Sequence, residues 1–161
     1  MWRPGFDFAE ARPALLRGYH RAFCIKTTHY RGTPEKPGLV LGLDRGGACR
    51  GRAFRIAGDK AAAVARYLHE RELINAVYEP RWLTVETPRG NVRAVAYVAD
   101  HDHREYAGKV AERRVVQLIR RSHGVSGSNR DYLAQTVRHL DELGIADGPL
   151  HRLLRLVEGK G

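Results

Sequence analysis

The amino-acid sequence predicts one mixed α+β domain spanning residues 1–161, and three observations carry that reading. The first half alternates apolar and polar positions between Gly- and Pro-rich breaks, the pattern of strands with one wet face. A single segment, residues 59–72, switches to the helical period of about 3.6. From residue 105 onward the helical period dominates. Strands, a helix, strands and then helices form the order of an α+β domain with antiparallel hairpins and a curved or barrel-like sheet.

Each element has its own signal. Residues 13–27 mix aromatic and β-branched side chains around Gly18, which predicts a strand with a bend or bulge. Residues 28–38 carry two prolines and two glycines and predict a loop, and Leu39-Val-Leu-Gly-Leu43 after it predicts a short strand. Asp44-Arg-Gly-Gly47 predicts a tight hairpin turn into a second strand, Cys49 to Ile56. Asp59, after Gly58, is the expected N-cap of the helix. Residues 76–87 and 92–98 predict two strands joined at Pro88-Arg-Gly-Asn91, with Pro80 marking an edge or a bulge. Helices are expected over 105–122, with Tyr106, Val110, Val115, Leu118 and Ile119 on one broad face, over 129–143, and from Pro149. Ser128 with Asp131 resembles a capping box with Asp in place of Glu, and Gly144 is a natural helix stop.

Composition narrows the function classes. Lys and Arg outnumber Asp and Glu by 28 to 18, giving a net charge of +10, so nucleic acid is a partner to test. The arginines are scattered, however, and no basic helix, zinc finger or aromatic RNA-binding signature accompanies them, so nucleic-acid binding is not expected. A positive field attracts a small anionic substrate equally well. The apolar runs are short and broken by charge, and the N-terminus lacks the order of a signal peptide, so a cytoplasmic chain without a membrane anchor is expected. Cys24 and Cys49 are isolated, which supports neither a disulfide frame nor a structural zinc site. The sequence leaves the oligomeric state open.

Glu72 is the residue that chemistry singles out. In the helix that follows Gly58, Ala61, Val64, Leu68 and Glu72 share one face, while Glu70 points away. An acid aimed at an apolar interior is costly unless paired or protonated, so Glu72 is either half of a salt bridge or a carboxyl group adapted to proton transfer. Other motifs carry less. His101-Asp-His103 offers two possible ligands and no third, and reads as a solvated loop, so no metal is expected. Ser126-Gly-Ser128 lacks the pattern of a nucleophile elbow, and Gly46-Gly47 belongs to no dinucleotide or phosphate loop.

Five blocks in register, Arg17-Gly-Tyr-His-Arg-Ala-Phe-Cys24, Arg31-Gly-Thr-Pro-Glu-Lys-Pro-Gly38, Gly51-Arg-Ala-Phe-Arg-Ile56, Arg71-Glu72 and Gly127-Ser-Asn-Arg-Asp-Tyr-Leu133, resemble the ChaC family over nearly the whole chain. That family comprises glutathione-specific γ-glutamylcyclotransferases. The resemblance implies the γ-glutamylcyclotransferase-like fold, a compact mixed β-barrel flanked by helices. It also implies a lyase that needs no metal or cofactor. In the family's reaction the α-amino group of the γ-glutamyl unit attacks its own side-chain amide, releasing 5-oxoproline and Cys-Gly. One glutamate serves as general acid and base, and it falls on Glu72. Holding the substrate folded on itself is worth about 7–11 kcal/mol of barrier in favourable cases.

The resemblance bears on four further residues, each with a structural alternative. Arg31 can bring a guanidinium to the glycine carboxylate of glutathione, or serve only a rigid loop. Tyr132 and Tyr78 can touch substrate, or pack on the core. His29 is a weaker candidate beside Arg31. The family also places an N-terminal strand ending in Tyr-Gly-Ser-Leu around the γ-glutamyl moiety. That tetrapeptide does not occur in the sequence, and Met1-Trp2-Arg3-Pro4 resembles the residues that follow it. The expectation is an internally placed start, with a truncated form as the alternative; a chain without that strand is expected to be poorly stable and little active. The rival functions are a cyclotransferase for other γ-glutamyl amines or peptides, and an inactive binding or regulatory member.

Overall fold

The structure is a computed structural model and describes residues 4–72 and 76–160. Met1, Trp2 and Arg3, on which the resemblance at the N-terminus partly rests, lie outside the described residues, as do Leu73, Ile74, Asn75 and Gly161. In chain order the elements are β1 (Glu10–Thr27), β2 (Gly38–Arg55), α1 (Gly58–Glu72), β3 (Tyr78–Thr87), β4 (Gly90–Ala99), α2 (Glu112–Arg121), β5 (His123–Gly124), β6 (Gly127–Ser128), α3 (Asn129–Glu142) and α4 (Gly148–Glu158). They form two compact units, Met1–His20 with Leu43–Asp100, and Arg21–Gly42 with His101–Gly161. The long strands β1 and β2 each run from one unit into the other.

The α+β class holds, but the sheet does not close. Its order is β2-β1-β3-β4, so β2 and β4 are edges among the described residues, and a barrel needs those end strands paired. In the first unit β3 pairs antiparallel with β1 (Leu15↔Glu86, Leu16↔Val85) and with β4 along its whole length, from Tyr78↔Ala99 to Thr87↔Gly90. As a whole β3 has a partner on each side, with β1 at Val85 and Glu86 and with β4 at Pro80 opposite Tyr97. Alternation puts one face of this sheet in a core centred on Leu16, Cys49 and Val85, flanked by Leu43, Leu83, Ala94 and Ala96. The opposite face carries Tyr97, Trp82 and Val95, and Trp82 and Val95 remain exposed.

The expected hairpin turn at Asp44-Arg-Gly-Gly47 is absent, because β2 runs straight through it. Gly46 and Gly47 do adopt the left-handed conformation that a turn would need, with φ of +100° and +68°. Inside a strand that conformation belongs to a bulge. His20 on β1 sits with Nδ1 3.0 Å from the Gly46 carbonyl, giving the displaced backbone a side-chain partner. Asp59 likewise lies within the first turn of α1 instead of capping it.

In the second unit, residues 105–111 are not helical as expected. Glu105 and Ala107 bind the backbone of β1 instead, with Lys26 N–H donating to Glu105 O (2.8 Å) and Ala107 N–H to Cys24 O (2.7 Å), so the helical period there loses to a β-bridge between Ile25 and Tyr106. The hairpin β5–β6 had no signal long enough to read. Helices α2, α3 and α4 pack on one another through Val116, Ile119, Leu133, Val137, Leu140, Leu150 and Leu153. The caps behave as the sequence requires: Ser128 Oγ accepts from Asp131 N–H at 3.0 Å, and Gly144, at φ +66°, follows the end of α3.

Where α3 meets α4, His151 is held between the Asp147 carbonyl and an Asp141 carboxylate oxygen, each at 2.7 Å. First the Asp147 carbonyl and then the Asp141 carboxylate push its pKa up, against a smaller opposing effect of burial. A group whose pKa is raised on folding stabilises the fold below its unfolded pKa and loses that contribution as pH rises through the folded value. The thermal midpoint is therefore expected to fall between about pH 5.5 and about pH 8.5 by more in the wild type than in His151→Gln, as followed by circular dichroism.

Candidate active site

The first unit presents Glu72 at the last residue of α1. The helix forms because three alanines and few β-branched residues fill its first turns. It buries Val64 and half-buries Leu68, leaving Glu70 exposed, so the stripe read from the sequence is the inward one apart from Ala61, which is exposed. The Glu72 side chain is 15% exposed. Both Nε and Nη2 of Arg71 converge on the same oxygen, Oε1, at 2.9 and 2.7 Å. Among the described residues the second oxygen, Oε2, accepts no hydrogen bond.

Arg71 is itself fixed. Its Nη1 donates to the Pro4 carbonyl at 2.7 Å and to the Tyr67 hydroxyl at 3.3 Å, and its guanidinium lies 5.3 Å from the centre of the Tyr67 ring. Phe6 meets Tyr67 edge-on at 6.5 Å between ring centres, and meets Phe54 at 5.8 Å. From β4, Tyr97 comes close enough to feel the charge. Burial, and then the negative charge of Glu72, raise its hydroxyl pKa, while Arg71 acts in the opposite direction. Tyr78 opens β3 in the same unit, half-buried opposite Ala99.

The second unit holds Arg31 and Tyr132. Arg31 Nη1 donates to the Ser126 carbonyl and, at 3.4 Å, to the Ser128 carbonyl, and the guanidinium lies 5.3 Å from the Tyr132 ring centre. The Tyr132 hydroxyl accepts from Leu41 N–H at 3.5 Å, and its ring meets Phe23 edge-on at 5.8 Å. The loop that carries Arg31 is built by close approach: a Cβ on Gly32 would lie 2.2 Å from Gly38 N and 2.6 Å from Thr27 O. Asn129, fully buried, completes it. Its Oδ1 accepts from Leu39 N–H and its Nδ2 donates to Leu39 O, both at 2.7 Å, so one side chain replaces a strand neighbour.

Comparison with known proteins adds ancestry to this geometry. The model of the ChaC-like protein family matches residues 1–160. The chain belongs to that family. It is 34% identical over 155 residues to a glutathione-specific γ-glutamylcyclotransferase of Escherichia coli (strain K12), covering 96% of this chain and 67% of that one. To the human glutathione-specific γ-glutamylcyclotransferase 1 it is 32% identical, covering 83% of this chain and 62% of the relative. The chain thus spans between three-fifths and about two-thirds of the length of these relatives. In structure it is similar to a crystallised yeast γ-glutamyl cyclotransferase specific to glutathione, with a TM-score of 0.82 at 22% identity over 98% of this chain and 94% of the yeast chain. At that identity the likeness establishes the fold.

For this ChaC-like chain the structure brings Glu72 together with Arg71, Tyr67 and Tyr97, and brings Arg31 together with Tyr132. Glu72 and Tyr78 belong to one unit, Arg31 and Tyr132 to the other. Sequence reading treated Arg71 only as half of a motif and overlooked Tyr67, although their spacing of four on a helix places them on one side. It overlooked Tyr97 and Asn129 altogether. Of the weaker motifs, His101 stacks on Tyr106 with ring centres 4.3 Å apart, and His103 Nδ1 accepts from Glu105 N–H at 3.1 Å. Replacing Asn129 by Ala strips two buried backbone groups of their partner, at about 1–3 kcal/mol each. Urea denaturation of Asn129→Ala is expected to show a loss on the order of 2–4 kcal/mol, against less than about 1 kcal/mol for the exposed control Arg130→Ala.

Proposed function

We propose that this chain is a glutathione-specific γ-glutamylcyclotransferase with Glu72 as its general acid and base. The α-amino nitrogen of the γ-glutamyl unit attacks the carbonyl carbon of its own γ-amide. A carbon–nitrogen bond forms, the amide bond to cysteine breaks, and 5-oxoproline and Cys-Gly depart. The attacking nitrogen must lose protons and the leaving nitrogen must gain them, so a single carboxyl group between the two can carry them across. The chemistry calls for no metal, water nucleophile or redox cofactor.

The observation that carries this reading is the half-occupied carboxylate: one oxygen of Glu72 is held by a guanidinium while the other has no partner among the described residues. A purely structural ion pair of this kind more often engages both oxygens in a fork. Arg31, Tyr78 and Tyr132 are our candidates for substrate contact. Arg31 supports this in one respect, since its Nε and Nη2 carry no hydrogen bond among the described residues and suit a carboxylate. We infer a single functional domain and a cytoplasmic location, in keeping with buried thiols at Cys24 and Cys49 and no helix among the described residues long and apolar enough to cross a membrane.

The test is direct. Incubated with glutathione, wild-type protein is expected to release 5-oxoproline and Cys-Gly in equal amounts, measured by mass spectrometry, and more slowly to process other γ-glutamyl amines. Glu72→Gln keeps the size and most hydrogen bonds but cannot shuttle a proton, so its rate is expected to fall by about 10²–10⁴-fold. An undiminished rate in that variant overturns the mechanism.

A further inference from the structure

We propose that Arg71 is the positioning residue of this site: its guanidinium immobilises Oε1 of Glu72, and so decides which carboxylate oxygen is left to exchange protons with substrate. The inference rests on the function proposed for Glu72 and adds to it a device that sets the orientation of the acid.

Three features of the geometry lead there. First, the contact is one-sided. Arg71 Nε donates to Oε1 at 2.9 Å and Nη2 lies 2.7 Å from the same oxygen, so the guanidinium meets the carboxylate at Oε1. Second, the clamp is anchored at its far side. Nη1 is bound to the Pro4 carbonyl and the Tyr67 hydroxyl, and the guanidinium carbon lies 5.3 Å from the Tyr67 ring centre, so the guanidinium is held by contacts away from Glu72 as well. An arginine serving only solubility or a surface ion pair would lose side-chain entropy in making these contacts and gain little. Third, the Glu72 side chain is only 15% exposed, so little water surrounds the carboxylate and the guanidinium beside it is what orients it.

The planar fork matters as much as the charge. The rigid guanidinium meets Oε1 with Nε and Nη2 together, whereas a lysine ammonium offers a point charge free to slide around the carboxylate. Proton transfer requires the accepting oxygen within hydrogen-bond reach of the substrate nitrogen, and a misplacement of about 1 Å can cost about 100-fold in rate. The role therefore lies in the chemical step and not in substrate affinity.

The experiment compares the wild-type chain, Arg71→Lys, Arg71→Met and Glu72→Gln, each checked for folding by circular dichroism. Both Arg71 variants are expected to lower kcat by about 10–100-fold with KM changed by less than about threefold, and Lys is expected to recover only part of the loss. Wild-type kcat in Arg71→Lys, or a loss confined to KM, overturns the proposal. Should Arg71→Met fail to fold, Arg71→Lys alone carries the test, because it keeps the charge and the aliphatic stem. Independently of turnover, the Arg71 Nε–Hε signal in ¹⁵N-labelled protein is expected to be shifted and slow to exchange with solvent, and to move toward the free-arginine position in Glu72→Gln. A wild-type signal already at the free position overturns the clamp. An active Glu72→Gln instead removes the function on which the clamp depends, a failure told apart by that variant alone.

Discussion

A carboxylate largely withdrawn from water at the C-terminal end of a helix is disfavoured twice. It loses hydration, and it faces the negative pole of the helix dipole. Glu72 occupies that position, with Arg71 beside it supplying the positive charge that the last turn would ordinarily carry. What makes the arrangement tolerable is the adjacent guanidinium, which donates a charge-assisted hydrogen bond from Nε to Oε1 and brings Nη2 to within 2.7 Å of the same oxygen. Local electrostatics alone would place a cation or a neutral residue here, so the acid has to be retained for another reason. Proton transfer supplies one. Sites where a chain departs from its own local preferences are where function is expected to reside.

The rest of the first unit supports that end of α1. Alternation along β3 and β4 sends Leu83, Val85, Ala94 and Ala96 into one core and turns Tyr97 to the opposite face, where its hydroxyl senses the charge on Glu72. Phe6, Phe54 and Tyr67 form an aromatic group against which Arg71 is fixed. The second unit applies a different device to a similar need. Its loop of residues 28–37 has an internal backbone pair between Thr33 and Lys36, and takes further order from Asn129 holding Leu39 just beyond it, from glycines too closely approached to bear a side chain, and from the carbonyls that Arg31 grips. Both units hold an arginine against a tyrosine ring at 5.3 Å, which limits the motion of a long side chain.

Much of this was legible in the residues. The inward stripe Val64, Leu68, Glu72 followed from helical spacing, the cap at Ser128 and the stop at Gly144 from side-chain chemistry, and family membership from five short blocks that the match over residues 1–160 bears out. The errors have a common origin. At Gly46-Gly47 the expected hairpin turn is absent, because the left-handed backbone of the two glycines serves a turn or a bulge alike, and only a neighbouring strand decides which. At residues 105–111 a helical period yielded to hydrogen bonds with β1 that no local pattern announces. The barrel implied by resemblance is an open sheet among the described residues.

The sequence by itself therefore determined the fold class, the caps, the family and the one acid worth testing, because those depend on side-chain identity and short-range spacing. Only the tertiary structure decided which oxygen of that acid is restrained, that Arg71 is braced by Tyr67 and Pro4, and that Asn129 stands in for a strand. The Pro4 and Asn129 contacts join residues distant in the chain, the Tyr67 contact needs a particular rotamer and the Glu72 contact a choice between equivalent atoms, and hydrogen-bond geometry at about 3 Å is set by packing.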